Sequence, residues 1–226
     1  MRLHNAEEDV YYIMMTNSKD IKFKNDPGMN HLKDVLQFKV LFWGPGESGK
    51  TTSYYRLREK FNGVKLNMGY SIETTDGRTL WQDSVRLSFF LNLGDDKYNI
   101  ITQIVTATGQ ERFLSTREYV LGGADGVIFV ADSDPNKMEQ NKRSFRELLS
   151  FTNERKVPFL IQLNKRDLPY AIKISEFKEQ MGLPDIEAYD DGSLVIYPTV
   201  ALDGANVIQC FEDLMLQIII NFFSRS

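Results

Sequence analysis

Cysteine is nearly absent from this chain of 226 residues: Cys210 is the single one, so no internal disulfide bond can form. Cys210 lies in an apolar helical pattern, which predicts a buried thiol that packs as a small hydrophobic side chain. An excess of positive charge is also absent, because 27 lysines and arginines face 31 aspartates and glutamates. Without a dense basic footprint, the sequence argues against nucleic-acid binding.

Long uncharged apolar runs are missing as well. No stretch approaches the ~18 such residues of a transmembrane helix, so the sequence predicts no membrane span. The acidic residues 1–9 do not resemble a secretory signal. Arg2 stands where N-myristoylation requires glycine, and residues 223–226 form no prenylation motif. Together these absences lead us to expect a cytoplasmic protein.

What the chain does contain is an ordinary globular composition, 42% hydrophobic and 26% charged, enough for one sizeable α/β domain. We expect an N-terminal extension over residues 1–36 and a domain over residues 37–226. In the domain, strand and helix patterns alternate, which predicts a mostly parallel sheet covered on both faces. The predicted strands are residues 38–43, 86–93, 98–105, 126–131, 157–163 and 194–199. The predicted helices are residues 49–62, 137–153, 175–181 and 205–223.

A glycine-rich turn follows the first predicted strand and precedes the first helix. Residues 44–51 read Gly-Pro-Gly-Glu-Ser-Gly-Lys-Thr, the pattern of a phosphate-binding loop. Such a turn directs backbone N–H groups at one anion, at the positive end of the helix dipole. Lys50 would contact the β- and γ-phosphates, and the Thr51 hydroxyl would bind Mg²⁺. The predicted phosphate-binding residues are Gly44, Pro45, Gly46, Glu47, Ser48, Gly49, Lys50, Thr51 and Thr52.

A second motif, Asn-Lys-Arg-Asp at residues 164–167, follows the strand predicted at residues 157–163. The Asp167 carboxylate is an acceptor for both the N1–H and the 2-amino group of guanine, a pair of donors that adenine lacks. Asn164 can connect loops and touch the base, and the Lys165 stem can lie along its face. The combination with a phosphate loop predicts guanine-nucleotide binding.

Two further segments would surround the transferred phosphoryl group. After the strand at residues 98–105, Gly109 can offer its N–H to a γ-phosphate and Gln110 can orient an attacking water. Residues 71–80 are polar and contain candidates for a Mg²⁺-binding hydroxyl and a charge-neutralising arginine. The residues alone leave the hydroxyl open among Thr74, Thr75 and Thr79.

These motifs together resemble the small Ras-like GTPases, and more closely the MglA-like prokaryotic polarity and gliding-motility GTPases. The shared stretches are residues 44–46 with 49–52, then 76–80, 106–110, 123–133 and 162–169. Ordinary Ras-like proteins carry aspartate where this chain has Thr106, whereas the MglA-like group also carries threonine there. The resemblance implies a three-layer αβα P-loop fold, the Ras-like G domain, with a mostly parallel sheet of six to seven strands and one antiparallel hairpin.

The resemblance also implies roles for individual residues and partners. Thr79 would bind Mg²⁺ together with Thr51, Arg78 and Gln110 would serve hydrolysis, and Ala201 would touch the guanine. The expected cofactors are GTP or GDP and Mg²⁺. The expected partners are an effector and a small Roadblock-type activator of the MglB kind.

We therefore predict a GTP-binding switch that hydrolyses GTP slowly. A module that binds GTP or GDP without useful hydrolysis is the alternative, motivated by Thr106. An adenine-nucleotide kinase is a third interpretation, which the motif at residues 164–167 disfavours.

Two apolar segments remain ambiguous. The final helix has a predicted core-facing stripe of Ile208, Phe211, Leu214, Met215, Ile218 and Phe222. Its end is apolar nearly all round, which indicates deeper burial or, alternatively, a partner or homodimer surface. Residues 10–15 indicate an element packed at the domain edge or a docking segment for a partner or membrane.

Overall fold

The computed structural model describes residues 32–61, 65–68, 84–93, 96–107, 121–184 and 195–225. The predicted extension before residue 32 and the polar segment of residues 71–80 lie outside these ranges, so the proposed boundary at residue 36 stays a prediction. The described strands are β1 (Leu32–Trp43), β2 (Lys65–Met68), β3 (Ser84–Leu93), β4 (Asp96–Thr106), β5 (Gly126–Asp132), β6 (Phe159–Asn164) and β7 (Ile196–Pro198). The described helices are α1 (Lys50–Lys60), α2 (Met138–Arg155), α3 (Ile174–Met181) and α4 (Val207–Arg225).

Within the described ranges the strands form one seven-stranded sheet in the order β2-β3-β4-β1-β5-β6-β7. β1 is parallel to β4 and β5, and β6 is parallel to β5 and β7. β3 is antiparallel to both β2 and β4. The predicted mostly parallel α/β sheet is confirmed, but it contains a second antiparallel pair beside the predicted hairpin. The extra strand, β2, was missed because its sequence Lys-Leu-Asn-Met is too short to show a period.

The helices begin and end close to their predicted positions. The helix predicted from Ser175 begins one residue earlier, at Ile174, and its cap position is Lys173. The predicted end of α3 is confirmed, since Gly182 has a left-handed φ of 66° there. A short 3₁₀ turn, Pro135–Lys137, precedes α2, and the Asp134 side chain accepts a hydrogen bond from Asn136 N at its start. Turn residues therefore explain the end of α3 and the start of the 3₁₀ turn before α2.

Two hydrophobic clusters cover the two faces of the sheet, as a three-layer fold requires. One cluster joins β1 with α1 and α4, and the other joins β5 and β6 with α2 and α3. All seven residues of β5 are buried, which confirms the prediction of a strand covered on both faces. Trp43 belongs to the second cluster and its Nε1 donates to Ser144 O on α2 at 3.0 Å. The end of β1, where the phosphate loop starts, is thereby anchored to a helix.

Helix α4 packs on the sheet through Cys210, Leu214 and Ile218, which are nearly or completely buried. The predicted burial of Cys210 is confirmed, and burial raises the pKa of its thiol. Phe222 was predicted in the core stripe but is 39% exposed, with its ring against Phe38 at 5.6 Å. By length and composition alone, Val207–Ser224 could cross a membrane. Its packing against the sheet favours a core helix of the domain.

Candidate functional site

The loop of residues 44–49 turns sharply between β1 and α1. Gly44, Glu47 and Gly49 have φ angles of 146°, 64° and 104°. An added Cβ at Gly44 would lie 2.2 Å from Val130 O, and one at Gly49 would lie 2.1 Å from Asn164 Nδ2. The loop therefore packs closely on β5 and on the end of β6, and glycine is required at both positions.

Lys50 lies at the first position of α1, and its ammonium group points back into the turn. Its side chain is buried, and Nζ donates to Gly44 O at 3.0 Å and to Pro45 O at 2.5 Å. Thr51, the next residue, is exposed, whereas Ser48 is fully buried. The Ser48 hydroxyl makes no hydrogen bond within the part of the chain that the structure describes. The geometry places a cation and hydroxyl groups in a glycine cradle, a suitable donor set for phosphate and Mg²⁺.

Asn164 connects this loop to the other side of the site. It is 2% exposed, and its Nδ2 donates to Ser48 O at 2.8 Å. Its Oδ1 accepts from Ala201 N at 2.8 Å and from Thr199 Oγ1 at 3.3 Å. One amide group thus joins the phosphate loop, the motif at residues 164–167 and the segment after β7. The structure brings Ala201, for which only the resemblance implied a role, into this group.

Lys165 and Asp167, the other two predicted nucleotide-binding residues of the motif, follow β6 at the same edge of the sheet. Lys165 has a φ of 65°, and its Nζ lies 2.6 Å from Asp132 Oδ2. Asp132 is fully buried at the end of β5, where its backbone exchanges hydrogen bonds with the Asn141 side chain. Sequence reasoning missed Asp132, although an acidic residue directly after a buried strand could have indicated it. Asp167 is exposed.

A second contact missed from the sequence lies behind the phosphate loop. Ser53 on α1 and Gln162 on β6 are both fully buried, and Ser53 Oγ donates to Gln162 Oε1 at 3.0 Å. Buried polar side chains need such partners, so this pair orients α1 against β6. Four predicted site residues, Arg78, Thr79, Gly109 and Gln110, lie outside the described residues, and their roles stay predictions.

Comparison with known proteins identifies the family. Residues 97–218 match the family model of the ADP-ribosylation factor family, which is more than half of the chain. The chain belongs to this family of small Ras-like GTPases. It is also 32% identical over 167 residues to the mutual gliding-motility protein MglA of Myxococcus xanthus, covering 71% of this chain and 84% of that protein. The human ADP-ribosylation factor-like protein 4A is 25% identical over 188 residues, covering 82% of this chain and 86% of that protein.

Membership of a small GTPase family has direct consequences for the site. The chain is a GTP-binding switch and a GTP hydrolase, and its cofactors are GTP or GDP and Mg²⁺. Among the described residues there is no cluster of three or more His, Cys, Asp or Glu residues that could hold a metal ion. In phosphate-binding enzymes, nucleotide phosphates, water and few protein oxygens complete the coordination of Mg²⁺.

An acidic side chain stands in the phosphate loop of this GTPase. The Glu47 carboxylate is 81% exposed, and Lys137 Nζ lies 3.2 Å from its Oε2. Lys137 comes from the short turn after β5, far away in sequence. A carboxylate in an anion-binding turn opposes phosphate, and the neighbouring ammonium partly offsets that charge.

Thr106 occupies the position at which the resemblance places aspartate in ordinary Ras-like proteins. It is buried at the end of β4 and pairs with Phe42, and Ala107 N donates to Phe42 O at 3.0 Å. Thr106 therefore lies beside the end of β1, next to the start of the phosphate loop. A neutral hydroxyl here can hydrogen-bond a water on Mg²⁺ but adds no negative charge.

We expect Thr106→Asp to bind Mg²⁺ more tightly than the wild type, since a carboxylate would add attraction to the cation's water shell. The measurement is a Mg²⁺ titration of nucleotide retention, with at least a threefold lower half-saturating concentration expected. Thr106→Asn is the matched control, because it has the shape of aspartate without the charge. Equal Mg²⁺ dependence of all three proteins would contradict this account of Thr106.

Proposed function

We propose that this GTPase hydrolyses GTP slowly by itself and that a Roadblock-type activator of the MglB kind stimulates its turnover. The observation that carries the nucleotide assignment is the Asn164 amide, which joins the phosphate loop to the base-side segment at Ala201. A single ligand that spans both loops would need this arrangement. The likeness to MglA supports the proposed activator class.

The proposed roles follow the positions of the described side chains, except those of Gly109 and Thr79, which lie outside the described residues and follow from the resemblance. Lys50 and the loop amides hold the phosphates, and Gly109 adds a further amide at the γ-phosphate. Thr51 and Thr79 bind Mg²⁺, which supplies charge neutralisation of the phosphate oxygens. Lys165 lies along the guanine, Asp167 accepts its two N–H donors, and Ala201 touches its edge. The exposure of Asp167 and of Thr51 supports these roles.

The first test identifies the nucleotide. We expect guanine nucleotide to co-purify with the protein and to be identified by chromatography after denaturation. With nucleotide-free protein, GDP should displace a fluorescent guanine nucleotide at a concentration at least a hundredfold lower than ADP requires. Preference for ADP would refute the assignment of Asp167 as the guanine acceptor.

Gln110→Ala should leave the affinity for GDP within a few-fold of the wild type and slow phosphate release at least tenfold. The reason is that Gln110 would orient the attacking water and not the bound nucleotide. Single-turnover phosphate release measures this. Gln209→Ala serves as the control, since Gln209 is an exposed residue on α4 that bonds Asp213 at 2.9 Å. Unchanged phosphate release in Gln110→Ala would remove Gln110 from the mechanism.

A second function is an interaction module that binds GTP or GDP with little or no hydrolysis. Thr106 favours it, because the site lacks the acidic residue that aspartate-bearing relatives place beside Mg²⁺. Single-turnover hydrolysis with and without a Roadblock-type partner separates the two functions. Hydrolysis in neither condition would favour the module, whereas hydrolysis stimulated by the partner would support the activated switch.

We further propose that the protein works in the cytoplasm with an effector that distinguishes its GTP and GDP forms. Packing of α4 on the sheet supports this location, because its apolar side chains are used in the domain core. Alternatively, the apolar end of α4 forms the interface of a homodimer. Fractionation of the host cell tests the location, and recovery in the membrane pellet would contradict it.

A further inference from the structure

Arg166, the third residue of the Asn164–Asp167 motif, joins the ends of the neighbouring strands. Its guanidinium Nη1 donates to Ser133 Oγ at 3.2 Å and to Ile172 O at 2.5 Å. Its backbone N–H donates to Thr199 O at 3.1 Å. Ser133 follows β5 and Thr199 follows β7, and both are fully buried. Arg166 is therefore anchored to rigid parts of the domain on both sides of β6.

Asp167 lies in the segment of residues 166–172, whose two ends are joined by the Arg166 side chain. Ile172 N donates to Ser133 O at 2.9 Å, and Leu168 N donates to Lys165 O at 3.2 Å, so the segment folds back on the end of β5. The Arg166 guanidinium bridges this closure, since it contacts Ser133 and Ile172 together. Asp167 itself is exposed. The direction of its carboxylate therefore depends on the hydrogen bonds that hold this segment against the ends of β5 and β7.

We propose that Arg166 is a positioning residue that aims the Asp167 carboxylate and thereby sets the preference for guanine over bases without a 2-amino group. The inference rests on the guanine-nucleotide binding proposed above. A carboxylate that accepts two N–H donors must be held in a narrow range of positions, because hydrogen bonds weaken steeply when they are misaligned. Hypoxanthine has the N1–H but lacks the 2-amino group. A misaligned Asp167 carboxylate therefore weakens the binding of hypoxanthine less than it weakens the binding of guanine.

The experiment compares GDP with inosine diphosphate. Dissociation constants are measured by displacement of a fluorescent guanine nucleotide from the full chain. For the wild type we expect GDP to bind at least tenfold more tightly than inosine diphosphate. For Arg166→Ala we expect GDP to bind more weakly and the preference for GDP to fall at least fivefold. A residue with a purely structural role would weaken both nucleotides equally and leave their ratio unchanged.

Two further variants make the result decisive. Arg146→Ala is the matched control, because Arg146 lies on the exposed side of α2 and its Nε contacts Lys142 O at 3.3 Å; its ratio should equal that of the wild type. Arg166→Lys retains a positive charge, but its ammonium cannot reproduce the planar guanidinium. We expect an intermediate ratio for it. Should circular dichroism show Arg166→Ala to be unfolded, the lysine variant decides alone.

The outcomes separate this inference from the proposed function. If both Arg166 variants keep the wild-type preference while affinity falls for both nucleotides, Arg166 does not position Asp167, and guanine binding still stands. A wild type without preference between the two nucleotides would likewise overturn the positioning role. If the wild type binds neither nucleotide, the proposed site is refuted and this inference with it.

Discussion

Replacing Asn164 with alanine should weaken GDP and GTP binding at least about a hundredfold. The substitution removes the hydrogen bonds of the amide to Ser48 O, Ala201 N and Thr199 Oγ1. Buried polar groups left without partners cost about 1–3 kcal/mol each, and about 1.4 kcal/mol corresponds to a tenfold change in affinity. The phosphate loop and the base-side segment would then no longer be held together. Equilibrium titration with fluorescent GDP measures the loss.

The matched control for this variant separates lost affinity from lost stability. Leu148→Ala removes a fully buried side chain of α2. This side chain belongs to the hydrophobic cluster that joins β5 and β6 with α2 and α3. It should lower the free energy of unfolding by about 2–5 kcal/mol. GDP affinity of the folded protein should nevertheless stay within a few-fold of the wild type. If Asn164→Ala binds GDP as tightly as Leu148→Ala does, Asn164 does not organise the site.

Gly44→Ala should both destabilise the protein and abolish tight nucleotide binding. Its Cβ would lie 2.2 Å from Val130 O, a backbone atom of the fully buried β5, and the φ of 146° is unfavourable for alanine. Strain and overpacking together should lower the free energy of unfolding by about 3 kcal/mol. The loop must move, which displaces the Gly44 carbonyl from the Lys50 ammonium. Thermal unfolding and GDP titration measure the two effects.

Gly182→Ala distinguishes the clash from the backbone strain. Gly182 also has a left-handed φ, 66°, but an added Cβ there meets no atom within 4 Å among the residues that the structure describes. We expect a loss of about 1 kcal/mol in the free energy of unfolding, from the backbone conformation alone. Nucleotide affinity should not change, because Gly182 ends α3 away from the phosphate loop. If Gly44→Ala and Gly182→Ala lower the free energy of unfolding equally, Gly44 does not lie close enough to β5 for an added Cβ to clash with Val130 O.

Some elements could be predicted because their signals are local. The apolar run of β5 predicts burial on both faces, and turn glycines predict where helices end, as at Gly182. The phosphate loop is recognisable because its glycines, lysine and threonine are adjacent in the chain. Short or exposed segments carry weaker signals. β2 has only four residues, and Phe222 continues the helical stripe of α4 but is 39% exposed, although its ring contacts Phe38 of β1.

Contacts between distant residues could not be predicted in this way. Asp132 and Lys165 are far apart in sequence, and their 2.6 Å contact exists because β5 and β6 are adjacent and parallel. Ser53 meets Gln162 because α1 packs on the sheet behind the loop. Both pairs support residues that the motifs had indicated. Strand order determines such pairs, and strand order is a property of the whole sheet.

Short-range patterns were sufficient to indicate an α/β domain, a phosphate loop after the first strand and a guanine-selective motif near the end of the chain. They were sufficient because turns, caps and hydrophobic periods depend on residues that are neighbours in the chain. Only the tertiary structure shows that the Asn164 side chain hydrogen-bonds both Ser48 and Ala201. The same is true of the hydrogen bond from Arg166 to Ile172 O, which closes the segment around Asp167. Parallel strands bring their carboxyl ends to one edge of the sheet, so residues more than a hundred positions apart meet only after the strand order is established.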